Sequence, residues 1–144
     1  MPFNLHTLDL GILSSQNCGQ NCIGIERLVV HSSQHDELLQ RLSELARRLR
    51  LGSVLFSTDG LIAPIDCGAM ISRDRFRELE RLIADAVHEG AQLEVGGNRW
   101  THAYLDGGAY FTPTVIGNVH QGMEIAQNEC ENATHFHLLS LTEI

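Results

Sequence analysis

Two stretches of the 144-residue chain each carry one apolar stripe at helical spacing, and this pattern restricts the fold more than any other feature. From Asp36 to Leu49, the residues Leu38, Leu39, Leu42, Leu45, Ala46 and Leu49 share a face, with Arg41, Glu44, Arg47 and Arg48 opposite. From Arg73 to His88, the stripe is Phe76, Leu79, Leu82, Ile83, Ala86 and Val87. A helix with a single apolar stripe must bury it against a neighbouring layer. Ser33 followed by Asp36 has the form of a capping box, and Gly52 after Arg47, Arg48 and Arg50 makes a plausible stop. For the second helix Ser72 is the candidate N-cap and Gly90 the residue that ends it.

The segments around these helices supply the sheet. Leu28-Val29-Val30 is a short β-branched run that feeds the first helix. Ala91 to Val95 alternates and ends at Gly96-Gly97, and Phe111 to Ile116 is β-rich, with Pro113 marking an edge position or a strand entry. The expected fold class is α/β, an open, mostly parallel sheet with flanking helices. Gly52 to Ile71 shows little regular pattern, which is long for an ordinary loop and suggests a wrap around the domain or a part in a site. Residues 1–16 and 130–144 show no periodicity that joins them to this pattern, so they read as tails outside a single domain of residues 17–129.

Charge and composition narrow the function. Asp plus Glu number 18 against 10 for Lys plus Arg, a net charge of −8, which disfavours nucleic acid and anionic membrane surfaces as partners. No apolar run is long enough to span a bilayer. Met1 to Ser15 has no basic start and carries Asp9, so no secretory signal is expected. With Cys18, Cys22, Cys67 and Cys130 read as free thiols, an intracellular and preferably cytoplasmic location follows.

The chemically informative stretch is Asn17-Cys18-Gly19-Gln20-Asn21-Cys22-Ile23-Gly24. A thiol beside glycines can approach a substrate carbonyl, yet only a few per cent of an ordinary thiol is ionised at pH 7. On residue chemistry alone Cys22 is either such a nucleophile or a small buried apolar side chain. Cys18 and Cys22 have a spacing that zinc ligands use, but no second pair follows, and no metal site is expected. His135 and His137 near Cys130, the Arg73, Arg75, Arg77 and Arg81 set, and Trp100, Phe76 and Phe111 read as surface or packing residues.

The sequence resembles the NAD(P)-dependent aldehyde dehydrogenases, whose nucleophile motif Asn-x-Gly-Gln-x-Cys is matched by Asn17, Gly19, Gln20 and Cys22. The likeness continues through Ile23 to Arg27 and returns at Asp66-Cys67-Gly68-Ala69-Met70-Ile71-Ser72, similar to the family's Asp-x-Gly-Pro-Met-Ile-Ser. It then runs through Glu89 to Leu93, Gly96-Gly97, Tyr110 to Val115 and Met123-Glu124-Ile125-Ala126-Gln127-Asn128-Glu129. The resemblance implies part of the family's catalytic domain, with an aldehyde as substrate. Cys22 would attack the carbonyl to give a thiohemiacetal, hydride would pass to NAD or NADP, and water would release the acid from a thioester. Glu129 would hydrogen-bond the nicotinamide ribose, and Gln20 and Asn21 would shape the turn. Family members are homo-oligomers.

The departures from the family pattern set a further expectation. Only 21 residues precede Cys22, without a Gly-rich dinucleotide fingerprint, the general-base glutamate or the oxyanion asparagine. After Glu129 the chain reads Cys130-Glu131-Asn132-Ala133 where the family has a Phe-Gly-Pro-type turn, and the oligomerisation segment is missing. Losing a general base costs roughly 10² to 10⁴ in rate and losing an oxyanion donor roughly 10² to 10³. As an isolated chain the protein is therefore expected to be a dehydrogenase fragment without activity, binding NAD or NADP poorly and prone to aggregate. The alternatives are a non-catalytic partner of a full-length family member and a cofactor-free cysteine esterase.

Overall fold

The computed structural model describes residues 16–20, 25–53, 65–102, 108–127 and 138–143. The first strand, β1 (Arg27–Val30), passes through one residue into helix α1 (Ser32–Arg48). That residue, His31, is extended and its Nδ1 accepts a hydrogen bond from the Ser33 N–H at 3.2 Å. The helix thus begins four residues before Asp36, with Ser33 as its second residue, and the Ser33–Asp36 capping box does not form. An N-cap must be extended with an acceptor that reaches the second or third helical N–H, and His31 meets both conditions. At the other end the chain turns extended at Leu49, directly after Arg47 and Arg48, so the stop comes three residues before Gly52.

Helix α2 (Phe76–His88) is shorter than the stripe suggested. Ser72 does not cap it. Its Oγ accepts from the Asp74 N–H at 3.0 Å, turning residues 73–75 ahead of the helix, while Arg75 occupies the cap position without a side-chain bond. The C-terminus follows expectation. Gly90 adopts φ +109, its N–H bonds Val87 O at 3.1 Å and the Ala91 N–H bonds Ala86 O at 2.9 Å, the paired bonds of a Schellman stop.

Strands β2 (Gln92–Val95), β3 (Thr114–Gly117) and β4 (Leu138–Glu143) join β1 in one sheet of order β1-β4-β3-β2. The β1–β4 and β4–β3 pairs are parallel, and β3–β2 is antiparallel with a register shift between Leu93 and Val95. Pro113 stands just before β3, where no ladder N–H is needed, so it marks strand entry rather than an edge. The stretch beyond residue 130, expected to lie outside the domain pattern, carries β4 between β1 and β3. Leu138, Leu139 and Leu141 have no intrinsic strand preference, and it is pairing on both sides that makes the segment a strand.

Every residue of β3 is buried, because the sheet is covered on both faces. Val115 packs with Leu39 and Leu42 of α1, and its neighbour Ile116 packs with Phe76, Leu79, Ile83 and Ala86 of α2. Alternation along the strand sends the two side chains to opposite layers. A short helix, α3 (Glu124–Gln127), joins the α2 layer through Ile125 and through Arg81, whose guanidinium meets Glu78, Asp85 and Glu124. The exposed large apolar side chains among the described residues are Val29, Ile71, Val87 and Leu93. Val87, expected in the buried stripe of α2, lies at its edge.

Two substitutions test this packing in opposite directions. Gly96 has φ +76, and a Cβ there would lie 2.2 Å from Pro113 O. Gly96→Ala should lower the urea midpoint by the equivalent of about 2 kcal/mol or more. Ser43 of α1 is buried, and its Oγ has no hydrogen-bond partner among the described residues. Ser43→Ala should leave stability unchanged or raise it by about 1 kcal/mol. A neutral Gly96→Ala or a strongly destabilised Ser43→Ala would contradict the packing described.

Candidate functional site

The approach to the motif begins with a 3-10 turn, Gln16–Gly19. Cys18 within it takes φ +59, a left-handed conformation uncommon for a residue with a side chain. Its side chain is buried in the α2-side cluster with Cys67, Met70 and Phe76, and its Sγ donates to Gly68 O at 3.2 Å. Gln20, half-buried, uses its Oε1 to accept the Ile71 N–H at 2.9 Å. The turn therefore rests on residues 67–72, the stretch containing the second family-like motif.

That stretch is held from both sides. Its start is tied to the exit of α1, where Asp66 N–H and Cys67 N–H both donate to Arg50 O, at 2.9 and 3.1 Å. The Arg50 guanidinium forks onto the Asp66 carboxylate at 2.8 and 2.9 Å, and the Arg50 N–H adds a third bond at 2.9 Å. Further on, the Met70 N–H donates to Ala109 O at 2.7 Å, and Arg73 donates through Nε and Nη2 to Gly108 O. Arg73 and Arg81, expected on a solvated helix face, thus have defined partners. Phe76 and Phe111 pack at 5.3 Å between ring centroids, as expected for packing residues.

Electrostatics separates the thiols. Burial pushes the Cys18 thiol up, and burial, with Cys18 and Asp66 nearby, pushes Cys67 up to about 12. Both stay protonated at neutral pH and serve as packing. Asp66 is held down at about 2, first by the Arg50 guanidinium and then by the Arg50 N–H.

Cys22 and Glu129, the two residues expected to carry the chemistry, lie outside the described residues, as do Cys130, His135 and His137. Their flanks are defined: Gln20 on one side of Cys22 and Ile25 on the other, and buried Met123 and Ile125 ahead of Glu129. Among the described residues no group of three His, Cys, Asp or Glu side chains could hold a metal ion, and no helix is long and apolar enough to cross a membrane. The β1–α1 junction does not fit a dinucleotide cradle. It is His31-Ser32-Ser33 without glycine, and the Ser33 N–H is already taken by His31 Nδ1. The Gln20–Ile71 and Arg50–Asp66 contacts escaped sequence reasoning, because residues 51 and 16 positions apart leave no local pattern.

The aldehyde dehydrogenase family model matches residues 12–131, and the chain belongs to that family. It is 46% identical over 116 residues to an aldehyde dehydrogenase-like protein of Saccharomyces cerevisiae, covering 79% of this chain and 17% of that protein. It is 33% identical over 113 residues to betaine aldehyde dehydrogenase of Bacillus subtilis, covering 78% and 22%. Among solved structures, betaine aldehyde dehydrogenase of Staphylococcus aureus with NAD+ superposes with a TM-score of 0.81 at 27% identity, covering 99% of this chain and 27% of that one. The chain thus spans about a fifth of the length of the curated relatives it matches.

Two measurements follow from the site's electrostatics. With iodoacetamide at pH 8, Cys18 and Cys67 should resist alkylation in the native chain and react once guanidinium unfolds it; rapid native labelling of either would refute their burial. Asp66 has a depressed carboxyl, so its contribution is complete above about pH 4 and is lost as pH falls through about 2. Asp66→Asn should therefore lower the urea midpoint at pH 7, with the gap closing as pH falls from 4 toward 2. A gap independent of pH would contradict the Arg50–Asp66 assignment.

Proposed function

We propose that residues 17–129 are a partial aldehyde dehydrogenase catalytic domain in which Cys22 is the nucleophile and Glu129 the carboxylate for the nicotinamide ribose of NAD or NADP. The observation that carries this reading is the seating of the turn ahead of Cys22. Gln20 of the matched motif Asn17-x-Gly19-Gln20-x-Cys22 is bonded to Ile71 of the matched motif Asp66 to Ser72. Two separate family-like segments thus meet in space, which supports reading them as parts of one site.

The chemistry assigned to these residues is addition. The Cys22 sulfur bonds to the aldehyde carbonyl carbon, the carbonyl π pair moves to oxygen, and that oxygen takes the proton the thiol has lost. The product is a neutral thiohemiacetal, and no electrons leave the system. Oxidation beyond it, with the nicotinamide cofactor, the preferred aldehyde and homo-oligomeric assembly, belongs in this reading to the full length that the relatives have. Among the described residues the β1–α1 junction offers no fitting cradle for the cofactor, so weak binding and no turnover by this chain alone are part of the proposal. So is an intracellular, cytoplasmic place of action, supported by the acidic balance and by two free buried thiols among the described residues.

A second reading, a non-catalytic partner of a full-length family member, draws on β1. Among the described residues this strand pairs on one side only, and its Val29 is 63% exposed.

The purified chain should produce no reduced NAD or NADP from an aldehyde panel, and turnover near the common enzyme value of about 10 per second would overturn the fragment reading. Chloroacetaldehyde, an aldehyde-shaped alkylating agent, should label Cys22 ahead of Cys18, Cys67 and Cys130. First labelling of another thiol would count against Cys22 as nucleophile.

A further inference from the structure

We propose that Cys18 and Cys67 are a redox-sensitive staple, a buried thiol pair that a peroxide converts to a disulfide joining the turn Gln16–Gly19 to residues 66–72. The pair is particular to this chain. The motifs Asn17-x-Gly19 and Asp66-x-Gly68 each leave one position open, and cysteine fills both. Far apart in sequence, the two side chains enter one buried cluster, at 9% and 3% exposure, and both are free thiols. Cys18 Sγ lies 3.2 Å from the carbonyl oxygen of Gly68, the residue that follows Cys67. The two thiols are also close enough to interact electrostatically. Nothing in this pairing requires Cys22 to react.

The two sides of the pair differ in how firmly they are held. Cys67 is fixed through its backbone, since its N–H donates to Arg50 O and its carbonyl accepts the Gly52 N–H, both at 3.1 Å. Cys18 sits on a four-residue turn at φ +59, a conformation that costs energy for a residue with a side chain. Local opening of the turn relieves that backbone, carries Cys18 into water and removes the burial that keeps its thiol protonated. Oxidation is paced by this opening and is slow beside that of an exposed thiol. The Cys18 sulfur then attacks one peroxide oxygen and the O–O bond breaks, giving a sulfenic acid and water. When the turn closes, the Cys67 sulfur attacks the sulfenic sulfur. The S–S bond forms, the S–O bond breaks, and the hydroxyl leaves as a second water with the Cys67 proton. Two electrons pass from the two sulfurs to the peroxide. In a reducing cytoplasm such a disulfide is transient, as suits a sensor rather than a permanent bridge.

Hydrogen peroxide on the full chain tests the staple, with disulfide-linked peptides identified by mass spectrometry without reduction. In guanidinium, loop closure favours the thiol nearest in sequence, so Cys18 should link mainly to Cys22. In the folded chain Cys18–Cys67 should exceed Cys18–Cys22 and Cys18–Cys130 by about tenfold, because folding holds the two thiols together. Dithiothreitol should then restore both thiols. The Cys22→Ser/Cys130→Ser chain, whose remaining cysteines are Cys18 and Cys67, should form the link within one molecule at a rate within about threefold of the parent. Adding Cys67→Ser to it should leave Cys18 as a sulfenic acid that dimedone traps. Preference of native Cys18 for Cys22 or Cys130, or no link at Cys18 in the folded chain, overturns the proposal. The same set of partners in the folded chain and in guanidinium overturns it too. Should the multiply substituted chains fail to fold by circular dichroism, the change of partner in the parent chain decides alone.

Discussion

The structure depends on β3 being buried on both faces. Val115 and Ile116 are adjacent, yet one closes the α1 layer and the other the α2 layer, and β2 and β4 take their places from the same strand. Fully burying a side chain of this size is worth about 1.5 to 3 kcal/mol, and here two such burials lie within one peptide unit. The polar group in the strand is satisfied as well. Thr114 Oγ1 accepts the Gly97 N–H at 2.9 Å and donates to Thr112 O at 2.8 Å, which also fixes where β2 ends. Four residues thus tie together the sheet and a helix on each side.

The site is an extension of that core. The cluster around Ile116 and Phe76 includes Cys18, Cys67 and Met70, so the turn ahead of Cys22 is anchored by the same apolar contacts that seat α2. Where apolar contact ends, ion pairs and backbone bonds continue outward. Arg50 and Asp66 close the neck between the exit of α1 and residues 66–72, and Arg73 holds the far end to Gly108. Two thiols lie in this region, and burial makes both of them packing groups. A reactive thiol in the same stretch must sit in a less apolar setting than Cys18 does.

What was legible in the sequence follows from the range of the interactions involved. The two helices were visible because their stripes repeat every turn, and Gly90 was visible because a Schellman stop is a local event. The helix starts were misplaced because His31 is an unusual cap and Ser72 serves a turn three residues too early. β4 was missed because leucine-rich segments declare neither helix nor strand until their neighbours are known. Family-like motifs singled out Cys22 and Glu129, whereas the contacts that seat the turn of residues 16–20 link residues far apart in the chain. Gln20 was read as shaping its turn, and its bond to Ile71 is consistent with that role.

Hydrogen exchange resolved to single amides tests the dependence on β3 most directly. The account predicts that the amides of Val115 and Ile116 exchange slowest in the molecule, only through global unfolding, and slow down or speed up together with α2 as stability is varied. Exchange of residues 114–117 at the rate of the surrounding loops, while α1 and α2 stay protected, would contradict it.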